Sequence, residues 1–367
     1  MRWVLGIAVL LLVLSVTWSR PGPAAGDGSS SASASNSGPQ AALPWQPGRP
    51  QLGVQVYWVD VPSDTPEILR RKAQRVLDHI VGLEANSVSI SFPFYTRTIT
   101  SSDVVTDQRT PSPERLAAVV DEAQRSGLRV TIRPLLDEQN LTEIDSRNWR
   151  GLLNPADRDA WFASYGDFLT PYLRVAQQYR VQTVVLGAEL NMLQSDRRWA
   201  ELVQEARGIY GGELGYAANW DAYRSAALSM PVDTVGIDAY PRLDLAPTAT
   251  ATEMEQAWRT WLRQAVPTAP ADVPVYELGA AAEVSTLENP AVPHRAGSQL
   301  DEGVQSRWLG AACRAARDHG LAGVYLWKIE LDVDPALADP VNDLHDSWLG
   351  RAAEATARQC FADWSAR

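Results

Sequence analysis

Two glutamates in this chain end apolar runs. Val184-Val185-Leu186-Gly187-Ala188 leads straight into Glu189, and Val273-Pro274-Val275-Tyr276 leads into Glu277. Burying a carboxylate is costly unless a partner or a reaction requires it there. A pair of carboxyls, one protonated and one ionised, is what cleavage of a glycosidic bond requires. In the retaining form one protonates the leaving oxygen while the other attacks the anomeric carbon, with the two about 5 to 5.5 Å apart. Glu277 follows Glu189 by 88 positions. That is close to three repeats of the ~31 residues expected when ~250 residues make eight strand–helix units, so the pair falls on the fourth and seventh strands of a barrel. Desolvation of Glu189 and the charge of Glu277 should both raise the Glu189 pKa, as an acid role near neutral pH needs.

The elements that would carry this pair alternate regularly. Gly53 to Trp58 reads as a first strand, followed by a helical pattern from Pro66 to Leu83 with Leu69, Ala73, Val76, Leu77 and Ile80 on one face. Asn86 to Phe92 is the second strand, and Thr110-Pro111-Ser112-Pro113-Glu114 opens the next helix with a cap and an early proline. Further strands are expected at 128–135, 184–188, 214–220, 232–240, 273–279 and 321–328, with helices between them and a last helix in the tail from Trp348 to Phe361. Eight such units with no compositional break after Leu52 predict an α/β fold, a single (β/α)8 TIM barrel spanning residues 51–367. An open doubly wound sheet is the alternative, but no glycine-rich phosphate loop follows an early strand.

The formal net charge is −11, from 33 basic and 44 acidic residues, and no basic run is present, which excludes nucleic acid as a partner class. His79, His294, His319 and His345 are scattered without HExxH or paired spacing, so neither a metal nor another cofactor is expected. Fourteen tryptophans against five phenylalanines suit a cleft that stacks sugar rings, although packing should bury most of them. Cys313 and Cys360 either form one bridge, tying the C-terminal segment to the barrel in an oxidising compartment, or remain two buried thiols.

Residues 1–20 combine Met1-Arg2 with an apolar stretch from Trp3 to Val16, as in a signal peptide or a membrane anchor. Residues 21–50 are small, polar and punctuated by proline, the composition of a flexible, disordered linker. Together they predict an extracytoplasmic protein, secreted or tethered to the membrane, and a monomer.

Four short segments then carry a family resemblance. Trp149-Arg150-Gly151, Leu186-Gly187-Ala188-Glu189-Leu190, Tyr216-Ala217-Ala218-Asn219-Trp220-Asp221 and Gly236-Ile237-Asp238-Ala239-Tyr240-Pro241 resemble, in order and spacing, those of glycoside hydrolase family 113. The resemblance spans about Gly53 to Trp327. It implies a retaining β-mannanase-like enzyme with Glu189 as acid/base and Glu277 as nucleophile. It further implies that Tyr240 hydrogen-bonds the nucleophile, that Asn219 and Asp238 hold sugar hydroxyls or orient carboxylates, and that Trp327 is the platform at the cleavage point. Trp58, Trp149 and Trp220 are candidate subsite walls, each with ordinary packing as the alternative. Arg150 would bind sugar or pair with an acid. Where the family tends to show Lys-Pro-His and then an aspartate, this chain has Arg133-Pro134-Leu135-Leu136-Asp137. Asp332 and Asp334 either contact a glycan or are solvated. A barrel that binds glycan without turnover is the competing function, and the intact glutamate pair argues against it.

Overall fold

Eight parallel strands close on themselves in chain order in a computed structural model that describes residues 38–223, 230–264 and 273–366. They are β1 Gln51–Tyr57, β2 Ser87–Phe94, β3 Arg129–Leu136, β4 Thr183–Ala188, β5 Glu213–Asn219, β6 Thr234–Asp238, β7 Pro274–Leu278 and β8 Gly323–Glu330. β1 pairs with both β2 and β8, which closes the cylinder. The expected (β/α)8 barrel is therefore the fold.

The outer helices are α1 Pro66–Gly82, α2 Pro113–Arg125, α3 Gln139–Ile144, α4 Arg158–Gln178, α5 Trp199–Ile209, α6 Trp220–Tyr223, α7 Ala251–Arg263, α8 Glu302–His319 and α9 Ala352–Ser365. Their starts follow the sequence chemistry. Thr65 and Ser112 accept from the backbone amides of Ile68 and Arg115, each with a proline just inside the helix. Thr250 and Glu253 form a reciprocal capping box at α7.

Strand parity sorts the side chains into two apolar layers. Val54 and Val56 on β1 and Trp58 just after it, like Val184 and Leu186 on β4, face outward against the helices. Leu135, Val185, Ala188, Ala217, Tyr276 and Tyr325 fill the lumen, with Tyr57 and Trp327 at its edge. The lumen also holds polar side chains: Gln55, Ser91 and Arg133 are fully buried. Gly236 admits this packing, because a Cβ there would meet the Tyr276 ring at 2.2 Å.

Register irregularities fall between Val185 and Ala188, Ile237 and Asp238, and Val275 and Leu278. Such bulges bend a strand and re-aim the side chains beside them, here at the strand ends that carry Glu189, Asp238 and Glu277.

The linker expected over 21–50 is shorter at its C-terminal side. Ala41 is buried, and its amide donates to Ser126 O at 2.9 Å. The guanidinium of Arg129, at the start of β3, lies 4.9 Å from the centre of the Trp45 ring. Proline and small residues signalled a loose tether, but this one indole finds a cation to cover. The signal or anchor segment, and the linker up to residue 37, lie outside the described residues. Among the described residues no helix is long and apolar enough to cross a membrane.

Cys313 on α8 and Cys360 on α9 are paired in a disulfide, with Cα atoms 6.2 Å apart. The two helices are packed neighbours, so the bridge fastens the last helix to the barrel.

Candidate active site

The chain turns sharply as it leaves β4. Glu189 has φ +54°, a left-handed conformation uncommon for residues other than glycine, and its surroundings fix it there. Its amide donates to Ala217 O at 2.8 Å, and the next amide, of Leu190, donates to Tyr216 Oη at 3.0 Å. Gly187 clears the approach, since a Cβ there would stand 2.9 Å from the Trp199 ring.

The Glu189 side chain is 13 % exposed and meets Arg150 Nη1 at 3.3 Å through Oε2. Arg150 stands on a single 3-10 turn, Arg150–Leu152, and its Nε also pairs with Glu138 Oε1 at 2.9 Å. Burial pushes the Glu189 carboxyl up to about 7; Arg150 draws it down, and the negative charges of Glu277 and Glu138 push it further up.

Glu277 has a different environment. Its Oε1 lies 2.6 Å from Arg133 Nη2, and its Oε2 accepts from Tyr240 Oη at 2.9 Å. Arg133, wholly buried, shares the same nitrogen with Asp238 Oδ2 at 2.7 Å. Asp238 is the register partner of Glu277, and Ala239 N donates to Glu277 O at 2.7 Å. Beneath them Gln55 and Ser91 connect the network to β1 and β2: Ser91 Oγ donates to Gln55 Oε1 at 2.8 Å, and Gln55 Nε2 donates to Tyr276 O at 2.6 Å. Burial, followed by the charge of Glu277, raises the Tyr240 hydroxyl, so Tyr240 stays a donor.

The remaining candidates separate clearly. Asn219 is 8 % exposed, and its Oδ1 is buried without a partner, which leaves an acceptor for a ligand hydroxyl. Asp137, half-buried at the end of β3, accepts from Tyr57 Oη and from the amide of Gln139. Trp327 is half-buried, its ring centre 5.9 Å from that of Tyr57, and Lys328 Nζ lies 5.3 Å from the Tyr57 ring. Trp149 is half-buried over Gly151, where a Cβ would meet the indole at 2.2 Å; this close contact accounts for the Trp-Arg-Gly order. Trp220 is half-buried at the end of β5 and packs partly on the outer layer.

Trp58 is a correction. It is 2 % exposed and belongs to the outer core, so it walls no subsite; its neighbour Tyr57, of opposite parity, takes the cleft position. Eight of the twelve tryptophans among the described residues are buried, leaving Trp45 below the barrel and Trp149, Trp220 and Trp327 on the strand-end side. Asp332 and Asp334 pair with Lys72 and Arg75 of α1 at 2.7 and 2.8 Å, so both are committed to ion pairs there. The sequence reading gave no site role to Arg133, Tyr57 or Glu138. The signal available was a second arginine near the C-terminal end of a strand, Arg133 on β3.

A carboxyl protonated near neutral pH beside one gripped by an arginine and a tyrosine can supply an acid and a nucleophile in one site. The sequence model of Glycoside Hydrolase Family 113 matches residues 63–345. The chain belongs to glycoside hydrolase family 113.

No curated protein matches this family 113 glycoside hydrolase by sequence. Among solved structures it is similar to the GH113 β-mannanase of Alicyclobacillus acidocaldarius in complex with ManMIm, at 18 % identity and TM-score 0.70, covering 86 % of this chain and 98 % of that one. A second GH113 β-1,4-mannanase, solved as a complex, gives 17 % identity, TM-score 0.68 and coverage of 86 % and 99 %. A GH5_18 protein of Streptomyces cattleya in complex with Manβ1-4GlcNAc gives 16 % identity, TM-score 0.55 and coverage of 86 % and 81 %. At these identities the structural likeness speaks for the fold, and the family match carries the class of enzyme.

Proposed function

We propose that the chain is a retaining glycosidase that cleaves β-linked, mannose-containing polysaccharide or oligosaccharide, with Glu277 as nucleophile and Glu189 as acid and then base. The observation that carries this reading is the asymmetry of the pair. Glu277 has both oxygens held, while Glu189 is desolvated and has a single cation at 3.3 Å. In the first step Glu189 gives its proton to the glycosidic oxygen as a Glu277 oxygen bonds to the anomeric carbon and the leaving sugar departs. In the second, Glu189 takes a proton from water, whose oxygen displaces Glu277. Trp327 offers an apolar ring beneath the sugar, and the unpartnered Asn219 Oδ1 accepts a sugar hydroxyl.

Mannose as the sugar is supported by the family and by solved neighbours described as β-mannanases. An extracytoplasmic location, with the monomer secreted or tethered through its N-terminal segment, is supported by the sequence of residues 1–20 and by the disulfide, a bond at home in oxidising compartments. The test is hydrolysis of a β-mannan panel with products sized, using Glu277→Gln as control. Wild-type release of short β-mannosides, absent from the control, supports the proposal. Wild-type activity no higher than the control on every glycan refutes it, and activity only on another glycan removes the mannan assignment alone.

A further inference from the structure

The connection from β7 to α8 carries Glu283 and His294, and the connection from β8 to α9 carries His345. These residues, up to 62 positions apart, converge on one point. Glu283 Oε1 lies 2.5 Å from His294 Nδ1 and 2.6 Å from His345 Nδ1, and the two nitrogens are 3.3 Å from each other. The imidazoles stand edge to face at 86°. Histidines that look scattered in sequence are thus brought together by two adjacent loops.

The cluster is built in a rigid frame. Ala282 N donates to His345 O at 2.7 Å, Asp301 N donates to Ala282 O at 2.8 Å, and Glu283 bridges Leu300 in antiparallel fashion. The Glu283 side chain is 1 % exposed, and its second oxygen, Oε2, accepts from Arg295 N at 3.1 Å and Ser285 Oγ at 3.3 Å. Outer contacts of this kind orient a metal-binding carboxylate. His294, at 56 % exposure, opens the cluster to water, beside a surface pocket of about 480 Å³. The nearest cation in that pocket, Lys328, is engaged by Glu330 at 2.9 Å.

We propose that Glu283, His294 and His345 form a zinc-class transition-metal site that clips these two loops together beside the cleft. Two imidazole nitrogens and one carboxylate oxygen are a zinc ligand set, whereas calcium and magnesium take oxygen ligands throughout. A nitrogen separation of 3.3 Å, with metal–nitrogen bonds of ~2.05 Å, subtends about 107°, close to tetrahedral. The shorter oxygen–nitrogen contacts open by under ~1 Å to accept the ion, a shift within reach of the exposed His294 side chain. Water from the pocket fills the fourth position. None of its ligands is a contact partner of Glu189 or Glu277 or has a part in the proposed double displacement.

The test uses the full chain without a histidine tag, stripped with chelator and titrated with Zn²⁺ by calorimetry, with bound metal counted by elemental analysis. One zinc per chain is expected, with a melting temperature that rises on zinc addition and visible d–d bands when Co²⁺ replaces it. His294→Ala should lose at least about 100-fold in affinity, the upper end of what loss of even an outer partner costs. His294→Cys, which replaces a nitrogen ligand by a thiolate, should keep the metal. Circular dichroism of these exposed-site variants confirms the fold. No stoichiometric zinc on the wild type, or zinc binding by His294→Ala or His345→Ala as tight as that of the wild type, overturns the proposal.

Discussion

Glutamine at position 189 should abolish hydrolysis and at the same time stabilise the protein, with the gain confined to one side of neutral pH. The Glu189 carboxyl stands at about 7 in the folded chain against an ordinary value of 4.5, and burial is the main cause. Between those values the folded chain holds a proton that the unfolded chain releases. Stability therefore falls as pH rises from about 4.5 and levels off above about 7. The difference, about 2.5 pH units at 1.36 kcal/mol each, is about 3 kcal/mol. Little of this is screened, because the side chain is 13 % exposed.

Glutamine has the same shape and no charge to desolvate. At pH 8, Glu189→Gln should be about 3 kcal/mol more stable than wild type, and at pH 4 the two should be nearly equal. An unfolding entropy of ~2.1 cal/mol/K per residue over roughly 330 residues makes that about 4 °C in melting temperature at pH 8. Scanning calorimetry of both proteins at both pH values reads it directly. A glutamine variant that melts at or below wild type at pH 8 would refute the reasoning. The contact with Arg150 would then outweigh desolvation, and Glu189 would rest as an ion, unfit to donate a proton.

Arg150→Met removes the cation that draws the Glu189 carboxyl down, so the alkaline limb of kcat/KM should move upward from about 7 by about one unit or more, read from a pH–rate profile. Trp58→Ala should cost about 3–5 kcal/mol in denaturant unfolding and leave KM unchanged, whereas Trp149→Ala should raise KM and leave stability nearly unchanged. Replacing both Cys313 and Cys360 by alanine frees a closure of 47 residues, and the loop-entropy estimate for that length is about 4 kcal/mol, measurable in a reversible unfolding series.

The barrel was legible because its determinants are local. Apolar runs, the Thr65 and Ser112 caps, and the repeat length each speak within one strand–helix unit, and expected strand ends such as 128–135 differ from Arg129–Leu136 by a residue. For Trp58 the packing alternative holds, and the sequence alone does not choose it, because assigning strand parity takes the whole β1 register and adjacent residues face opposite layers. Trp45 was hidden in a proline-rich stretch whose composition gives no hint that Arg129 waits beneath it. The Glu283, His294 and His345 cluster had no spacing signature, because two separate loops supply its members.

The proposed division of labour between the glutamates is a different kind of problem. Both end apolar runs and both emerge at strand ends, so their own segments are nearly equivalent. What separates them lies elsewhere in the chain. Arg133 on β3 and Tyr240 just beyond β6 reach the two oxygens of Glu277, while among the described residues Glu189 pairs with Arg150 alone, which Glu138 already engages. An arginine shared by Asp238 and Glu277 anchors one side of the mouth with fixed positive charge, and the opposite carboxyl is left desolvated with the negative field of its partner acting on it. Under the proposed mechanism, Arg133, a charge buried on β3, assigns nucleophile and acid as much as either glutamate does.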